Sequence, residues 1–107
     1  MNGSVGGAAV ERLVGLQVND AAGYQSYRDG MMPILSRYGG RFVLDLDVAR
    51  VRLAPDGASF NRLFVLRFPS AEVLDAFFSD PDYQRVRSEF FEPSVGNVSI
   101  LRGWNEG

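Results

Sequence analysis

The sequence predicts an α+β domain with the element order β-α-β-β-α-β, folded as one antiparallel sheet with both helices on the same face. Three observations carry that expectation: four segments read as strands, by period-two alternation or, in the third, by a short run apolar on both sides; two longer segments repeat apolar residues at helical spacing; and turn residues separate them in that order. A length of 107 residues holds one core and no more. Apolar residues at 46% and charged residues at 22% exclude disorder and a membrane-spanning segment.

Val14, Leu16 and Val18 alternate with Gly15 and Gln17, giving a first strand near residues 11–19. Asp20 offers a side-chain N-cap for a first helix, in which Tyr24, Tyr27, Met31, Ile34 or Leu35, and Tyr38 recur at helical spacing until Gly39-Gly40 stops it. Pro33 inside that run has no N–H for the carbonyl of Asp29, so a kink or break is expected there. Phe42, Leu44, Leu46 and Val48 set a second strand with its apolar face on even positions, whereas Val51 and Leu53 continue on odd ones. A one-residue slip near Ala49 or Arg50 reads as a β-bulge. Residues 54–59 are a loop by composition. Leu63 to Phe68 is apolar on both sides, as a central strand should be. Pro69-Ser70 opens a second helix carrying Val73, Leu74, Phe77 and Phe78; Asp80-Pro81 restarts it, with Tyr83, Val86 and Phe90 inward. Val98, Ile100 and Trp104 mark a fourth strand. The expected product is a ferredoxin-like fold over residues 11–104, behind a flexible lead-in over residues 1–10. That lead-in lacks the basic and apolar pattern of an export signal, which makes the cytoplasm the expected location.

The composition removes several chemistries. The chain has no His, Cys, Lys or Thr, and its 11 basic residues are all Arg against 13 Asp and Glu, for a net charge of −2. Without His and Cys there is neither an imidazole nor a thiolate for zinc or haem, so no metal or cofactor is expected. Missing Lys excludes a Schiff base, and missing His removes the commonest general base. A weakly acidic chain also lacks the charge footprint of a nucleic-acid or anionic-membrane binder. RNA-recognition domains share the element order, but their stacking aromatics sit on the open sheet face. Here Phe64 and Phe68 share the phase of the helix-facing positions.

Even strand positions supply that helix-facing side, with Val14, Leu16, Phe42, Leu44, Phe64 and Leu66 among them. Odd positions mix Leu13, Val43, Leu63, Val65 and Leu101 with Gln17, Asp45, Asp47 and Arg67. Such a face is too apolar to be left in water and too polar to be dry. A second copy of the sheet stacked over it, enclosing a partly polar cavity, satisfies both conditions and predicts a homodimer.

Tyr24-x-x-Tyr27, Pro33, Tyr38-Gly39-Gly40-Arg41-Phe42, Arg62 leading into Phe68-Pro69-Ser70, and Ser79-Asp80-Pro81-Asp82-Tyr83 together resemble the family catalogued as domain of unknown function 1330, over residues 11–103. The resemblance implies the wider group of dimeric α+β barrels, in which two ferredoxin-like sheets face each other. That group includes cofactor-free monooxygenases, lactone isomerases, haem enzymes and proteins with no assigned activity. The sequence departs from the pattern at Asp45-Leu46-Asp47, where such chains tend to be Gly-rich, and at Phe90, where an Arg is expected.

Candidate site residues follow from the odd face. Asp45 and Asp47 leave the same side of a strand about 6–7 Å apart. They form a general acid–base pair, half of a hard-cation site, or a strand edge paired with Arg. Arg67, expected opposite residue 47 or 48, is either an anchor for a carboxylate or enolate or an ion-pair partner of Asp47. Tyr27, one turn from Tyr24, either donates its phenol to a carbonyl or belongs to the core; Tyr83 and Trp104 read as core in the same way. Gln17, Tyr27, Asp45, Asp47 and Arg67 are therefore the candidate ligand-binding residues. Arg50 and Arg52 blunt a strand edge. Two function classes stay open. One is a non-catalytic protein that binds a small hydrophobic carbonyl or carboxylate compound; the other is a cofactor-free enzyme using a carboxylate base and an Arg on such a substrate.

Overall fold

A computed structural model of the chain describes residues 8–105, with side chains as far as Gly103. Most of the expected lead-in and the side chain of Trp104 lie outside the described residues. Strand β1 (Val10–Val18), helix α1 (Ala21–Arg37), strands β2 (Arg41–Asp47) and β3 (Arg62–Phe68), helices α2 (Ala71–Ser79) and α3 (Pro81–Val86), and strand β4 (Val95–Asn105) follow in the expected order. The sheet runs β2-β3-β1-β4 and every pair in it is antiparallel, which is the ferredoxin-like arrangement.

The helix boundaries follow from side-chain caps. Asp20 accepts from Gly23 N at 3.1 Å, Ser70 Oγ from Val73 N at 3.2 Å, and Asp80 Oδ1 from the amides of Asp82 and Tyr83 at 2.8 and 3.1 Å. Each such cap is worth about 1 kcal/mol. Past the end of α1, Gly39 takes φ 71°, the left-handed conformation that reverses the chain. The break expected at Pro33 does not occur: α1 runs through it, with the proline on the exposed side, where water can reach the carbonyl left without a partner. Val14, Leu16, Phe64, Leu66 and Phe68 of the two central strands pack against Tyr24, Met31, Leu35 and Phe77 from the helices, as their phase predicts.

The outer strand β2 departs from expectation. Its slip falls between Phe42 and Leu44, not near Arg50: Phe42 pairs with Leu66 but Leu44 with Val65, so Val43 is the extra residue of a bulge. A one-residue slip turns every later side chain to the other face. Leu44 and Leu46 therefore move to the open face, 40% and 44% exposed. Asp45, opposite Phe64, and Asp47, opposite Arg62, turn to the helix side.

Residues 48–61 are a long excursion rather than a continued strand, with one 3-10 turn at Pro55–Gly57. Arg50 and Arg52 consequently lie on a loop, and Leu53 is 94% exposed. Asn61 closes the excursion. Its side-chain amide accepts from Val18 N at 2.8 Å and donates to Val18 O at 2.9 Å, while its backbone N–H donates to Leu16 O at 2.9 Å and its carbonyl accepts from Val48 N at 2.8 Å. Phe60 lies on the open face directly over Gly15, where a Cβ would come within 2.6 Å of its ring; only glycine leaves room there. At the opposite edge, Val98 and Ile100 share the helix-facing phase, yet they are 44% and 70% exposed. Strand β4 extends beyond the helices, and the uncovered strip is one wall of a cleft.

Candidate functional site

That cleft lies between the sheet and the α2–α3 segment. Its first lobe, about 270 Å³, is walled by Leu16, Phe64, Phe91 and Val98, with Tyr27, Tyr83, Gln84 and Arg87 as the polar groups. A second lobe of about 250 Å³ shares Val14, Leu66, Phe78 and Ile100 with the first and adds Arg12. An apolar hollow with a few convergent polar groups is the usual form of a small-molecule site.

Local structure positions each polar group. The Asp80 cap fixes the first turn of α3 and with it Tyr83, and the Tyr38 hydroxyl donates to the other oxygen of Asp80 at 2.7 Å. Tyr83 packs on Phe77 at 4.4 Å between ring centroids, and Tyr27 packs on Phe91 at 4.8 Å. The two phenols meet oxygen to oxygen at 2.9 Å. After α3 the chain makes a π-helical turn, Arg87–Phe91, of the wide kind often found at functional sites. Within it Phe91 is buried, while Arg87 stands in the cleft wall 5.2 Å from the Phe91 ring and pairs with Glu92 at 3.1 Å. Gln84 donates its amide to the carbonyl of Phe78.

Burial raises the Tyr27 phenol far above its ordinary value, and the neighbouring Tyr83 pushes the same way. Burial also raises Tyr83, although its hydrogen bond to Tyr27 and both the charge of Arg87 and a hydrogen bond from it act against that rise. Both phenols are neutral at physiological pH, so they serve as hydrogen-bond donors and not as bases. The pair owns two hydroxyl hydrogens and uses one between its own oxygens; among the described residues no acceptor meets the other.

Of the five residues singled out in the sequence, Tyr27 alone lines this cleft. Asp45 accepts from Arg28 at 2.8 Å and from Arg62 at 3.2 Å, on the helix side beside Tyr24. Burial acts to raise the Asp45 carboxyl, but the hydrogen bonds and charges of the two arginines hold it below its usual value. Asp47, nearly fully exposed, lies 3.2 Å from Arg62 Nε, a nitrogen that is buried and makes no hydrogen bond. Arg28 itself stacks over Phe42 at 4.0 Å and donates to the Tyr24 hydroxyl at 2.8 Å. Arg67 stands opposite Arg41 on β2, not opposite residue 47 or 48, because β2 already ends at Asp47 and the connection to β3 takes all of 48–61; its guanidinium bonds Glu11 at 2.9 Å. Gln17 lines an open hollow of about 570 Å³ under the 48–61 excursion. Glu11 and Gln17 are six residues apart on β1, roughly 20 Å, so Arg67 and Gln17 belong to different places. Among the described residues no three carboxylates gather as a metal site.

Tyr83 was visible as a core aromatic, and nothing in the sequence distinguished it from one. Arg87, Gln84 and Phe91 gave no signal, since a π turn reads like any amphipathic helix.

The family model described as Domain of unknown function (DUF1330) matches residues 12–104. The chain belongs to that family. Among solved structures, a protein of unknown function from Rhodopseudomonas palustris is 16% identical and superposes over 92% of this chain and 82% of its own, with a TM-score of 0.78. A dimeric ferredoxin-like protein of unknown function from Thermobifida fusca is 14% identical over 98% and 97% of the two chains, TM-score 0.53. SnoaB, a cofactor-independent oxygenase from Streptomyces nogalater, is 12% identical over 89% and 94%, TM-score 0.57. At these identities the likeness is one of fold, that of the ferredoxin-like dimeric α+β barrels. No curated protein sequence matches the chain significantly.

Proposed function

We propose that this chain is a homodimeric binding protein whose cleft, between the sheet and α2–α3, holds a small hydrophobic compound bearing a carbonyl or carboxylate oxygen. The observation that carries this reading is the Tyr27–Tyr83 pair: two buried, protonated phenols in an apolar wall, with one hydroxyl hydrogen still uncommitted. A ligand oxygen would satisfy that donor, and the apolar lobes would take the rest of the molecule. The site thus lies across the sheet from the face to which the sequence pointed. No Asp or Glu lines either lobe, which leaves catalysis by a carboxylate base without its base.

The homodimer rests on the open face. The bulge adds Leu44 and Leu46 to Leu13, Leu63 and Val65 there, more apolar than even the alternation implied. A second copy would cover them and bring Gln17 and Arg67 against the partner sheet.

Light scattering behind size exclusion should return twice the monomer mass of 11.8 kDa; a stable monomer overturns the dimer. A panel of small aromatic and aliphatic aldehydes, ketones and carboxylates should raise the melting temperature of the native protein, by about 2.7 kcal/mol of stabilisation at a hundred times the dissociation constant. Tyr83→Phe keeps the ring and removes the donor, so the same compounds should stabilise it less. Equal shifts in both proteins would remove the phenol pair from the site.

A further inference from the structure

We infer that Arg87 makes the cleft selective for carboxylates, the ligand being an amphipathic acid with its head at Arg87 and Tyr83 and its apolar body along Val14, Leu66, Phe78 and Ile100. This rests on the binding reading above and narrows it. Charge count is the first ground: the walls of the two lobes carry two cations, Arg87 and Arg12, and no acid, in a chain whose net charge is −2. Glu92 offsets part of the Arg87 charge from outside the lining, but the surfaces the two lobes present to a ligand carry guanidinium groups and no carboxylate. Donor count is the second. At the first lobe the spare phenol hydrogen and the guanidinium are donors only, while Gln84 gives one amide N–H to Phe78 and keeps a second N–H and its acceptor oxygen, so donors outnumber acceptors. A ketone satisfies one donor, whereas a carboxylate, with two acceptor oxygens and a charge, satisfies phenol and guanidinium together.

The third ground is placement. Glu92 binds Arg87 through Nη1 only, at 3.1 Å, and the Phe91 ring lies beneath the guanidinium. The guanidinium also donates to the Tyr83 hydroxyl oxygen, so the arginine is fixed at the wall beside the phenol, with the N–H groups not used by Glu92 and Tyr83 left for a ligand. Arg12, in the second lobe, already donates to the Glu11 carbonyl at 3.1 Å, and no phenol stands in that lobe to share an anion with it. The head group belongs at the Arg87 end.

The test compares matched pairs, benzoate with benzamide and hexanoate with hexanamide, by calorimetry on the native protein and on Arg87→Gln, Arg87→Lys and Arg12→Gln. Native protein should bind each acid roughly tenfold or more tightly than its amide, the usual scale of a charged hydrogen bond. Arg87→Gln should abolish the preference, weakening the acids far more than the amides; Arg87→Lys should restore part of it, and Arg12→Gln should leave it intact. Equal binding of acid and amide by native protein, or a preference that survives Arg87→Gln or disappears with Arg12→Gln, overturns the role of Arg87 and leaves the cleft as a binding site. Failure of native protein to bind either series overturns the binding reading and this inference with it.

Discussion

Tyr24 and Tyr27 stand one turn apart on α1, both buried, and their hydroxyls end in opposite surroundings. Tyr24 accepts from Arg28 and looks into the Arg28–Asp45–Arg62 cluster, which ties the helix to the edge strand β2. Tyr27 meets a second phenol and stands in the wall of an apolar cleft. Burial raises the pKa of both. Each arrangement also leaves a hydroxyl hydrogen uncommitted, so a count of hydrogen bonds does not separate them. What separates them is the space in front of the hydroxyl: packed charges at Tyr24, an open lobe at Tyr27. The first group acts as a fastener and the second is free to meet a ligand.

The comparison can be broken hardest at Phe77, which is fully buried and touches Tyr83 but not the arginine cluster. Phe77→Ala should cost about 3–5 kcal/mol in urea unfolding, and it should abolish ligand-induced stabilisation. A loss below the range of a core aromatic would mean that the Tyr83 side is not held by packing.

Asp45→Asn attacks the other side. It leaves Arg28 and Arg62 without their shared anion and should cost about 1–2 kcal/mol, moderated by partial exposure. The Asp45 carboxyl is held below its ordinary value of 3.8, so its contribution is present above that pH and fades as pH falls through the lower folded value. The gap between native and variant should therefore shrink in acid. A gap that stays constant into acid would show that charge is not what Asp45 supplies.

Tyr27→Phe should cost about 0.5–1.5 kcal/mol and carries the opposite pH signature. The folded phenol titrates far above the unfolded one at 10, so its contribution is complete below pH 10 and is lost as pH rises beyond it, where the unfolded chain releases the proton first. Unfolding curves on either side of pH 10 should show a shallower alkaline decline in the variant. The smallest effect expected is on ligand affinity in Tyr24→Phe, within about twofold of native. A larger loss would place the two tyrosines in one site and erase the distinction.

The central strands, the helix starts at Asp20, Pro69-Ser70 and Asp80-Pro81, and the stop at Gly39-Gly40 were legible because each depends on residues near in sequence. The bulge at Val43 was not, because Phe42, Leu44 and Leu46 alternate without interruption and only the register against β3 exposes the extra residue. That slip turned Asp45 and Asp47 to the other face from Gln17 and Arg67, and the length of the 48–61 excursion, which sets Arg67 opposite Arg41 and far from Gln17, dispersed the rest of the inferred site. The π turn hid Arg87 for a similar reason. Val86 and Phe90 keep α-helical spacing in the sequence, and the widened turn, with Phe91 buried in it, leaves no mark in that spacing.

Asn61 has an engineering consequence. Its side-chain amide imitates a peptide group against Val18, and its backbone groups bond Leu16 and Val48, so both ends of the 48–61 excursion are stitched to the sheet before the excursion begins. Lengthening a loop whose ends are already pinned costs only about 0.6 kcal/mol per doubling. An insert at Pro55–Gly57 should therefore leave the register of β2, β3 and β1 untouched, with Asn61 as the rivet, but because the tip shares a hollow with Asn97, Ser99 and Leu101 on the open face, bulky cargo there should act as a wedge against a second copy of the sheet.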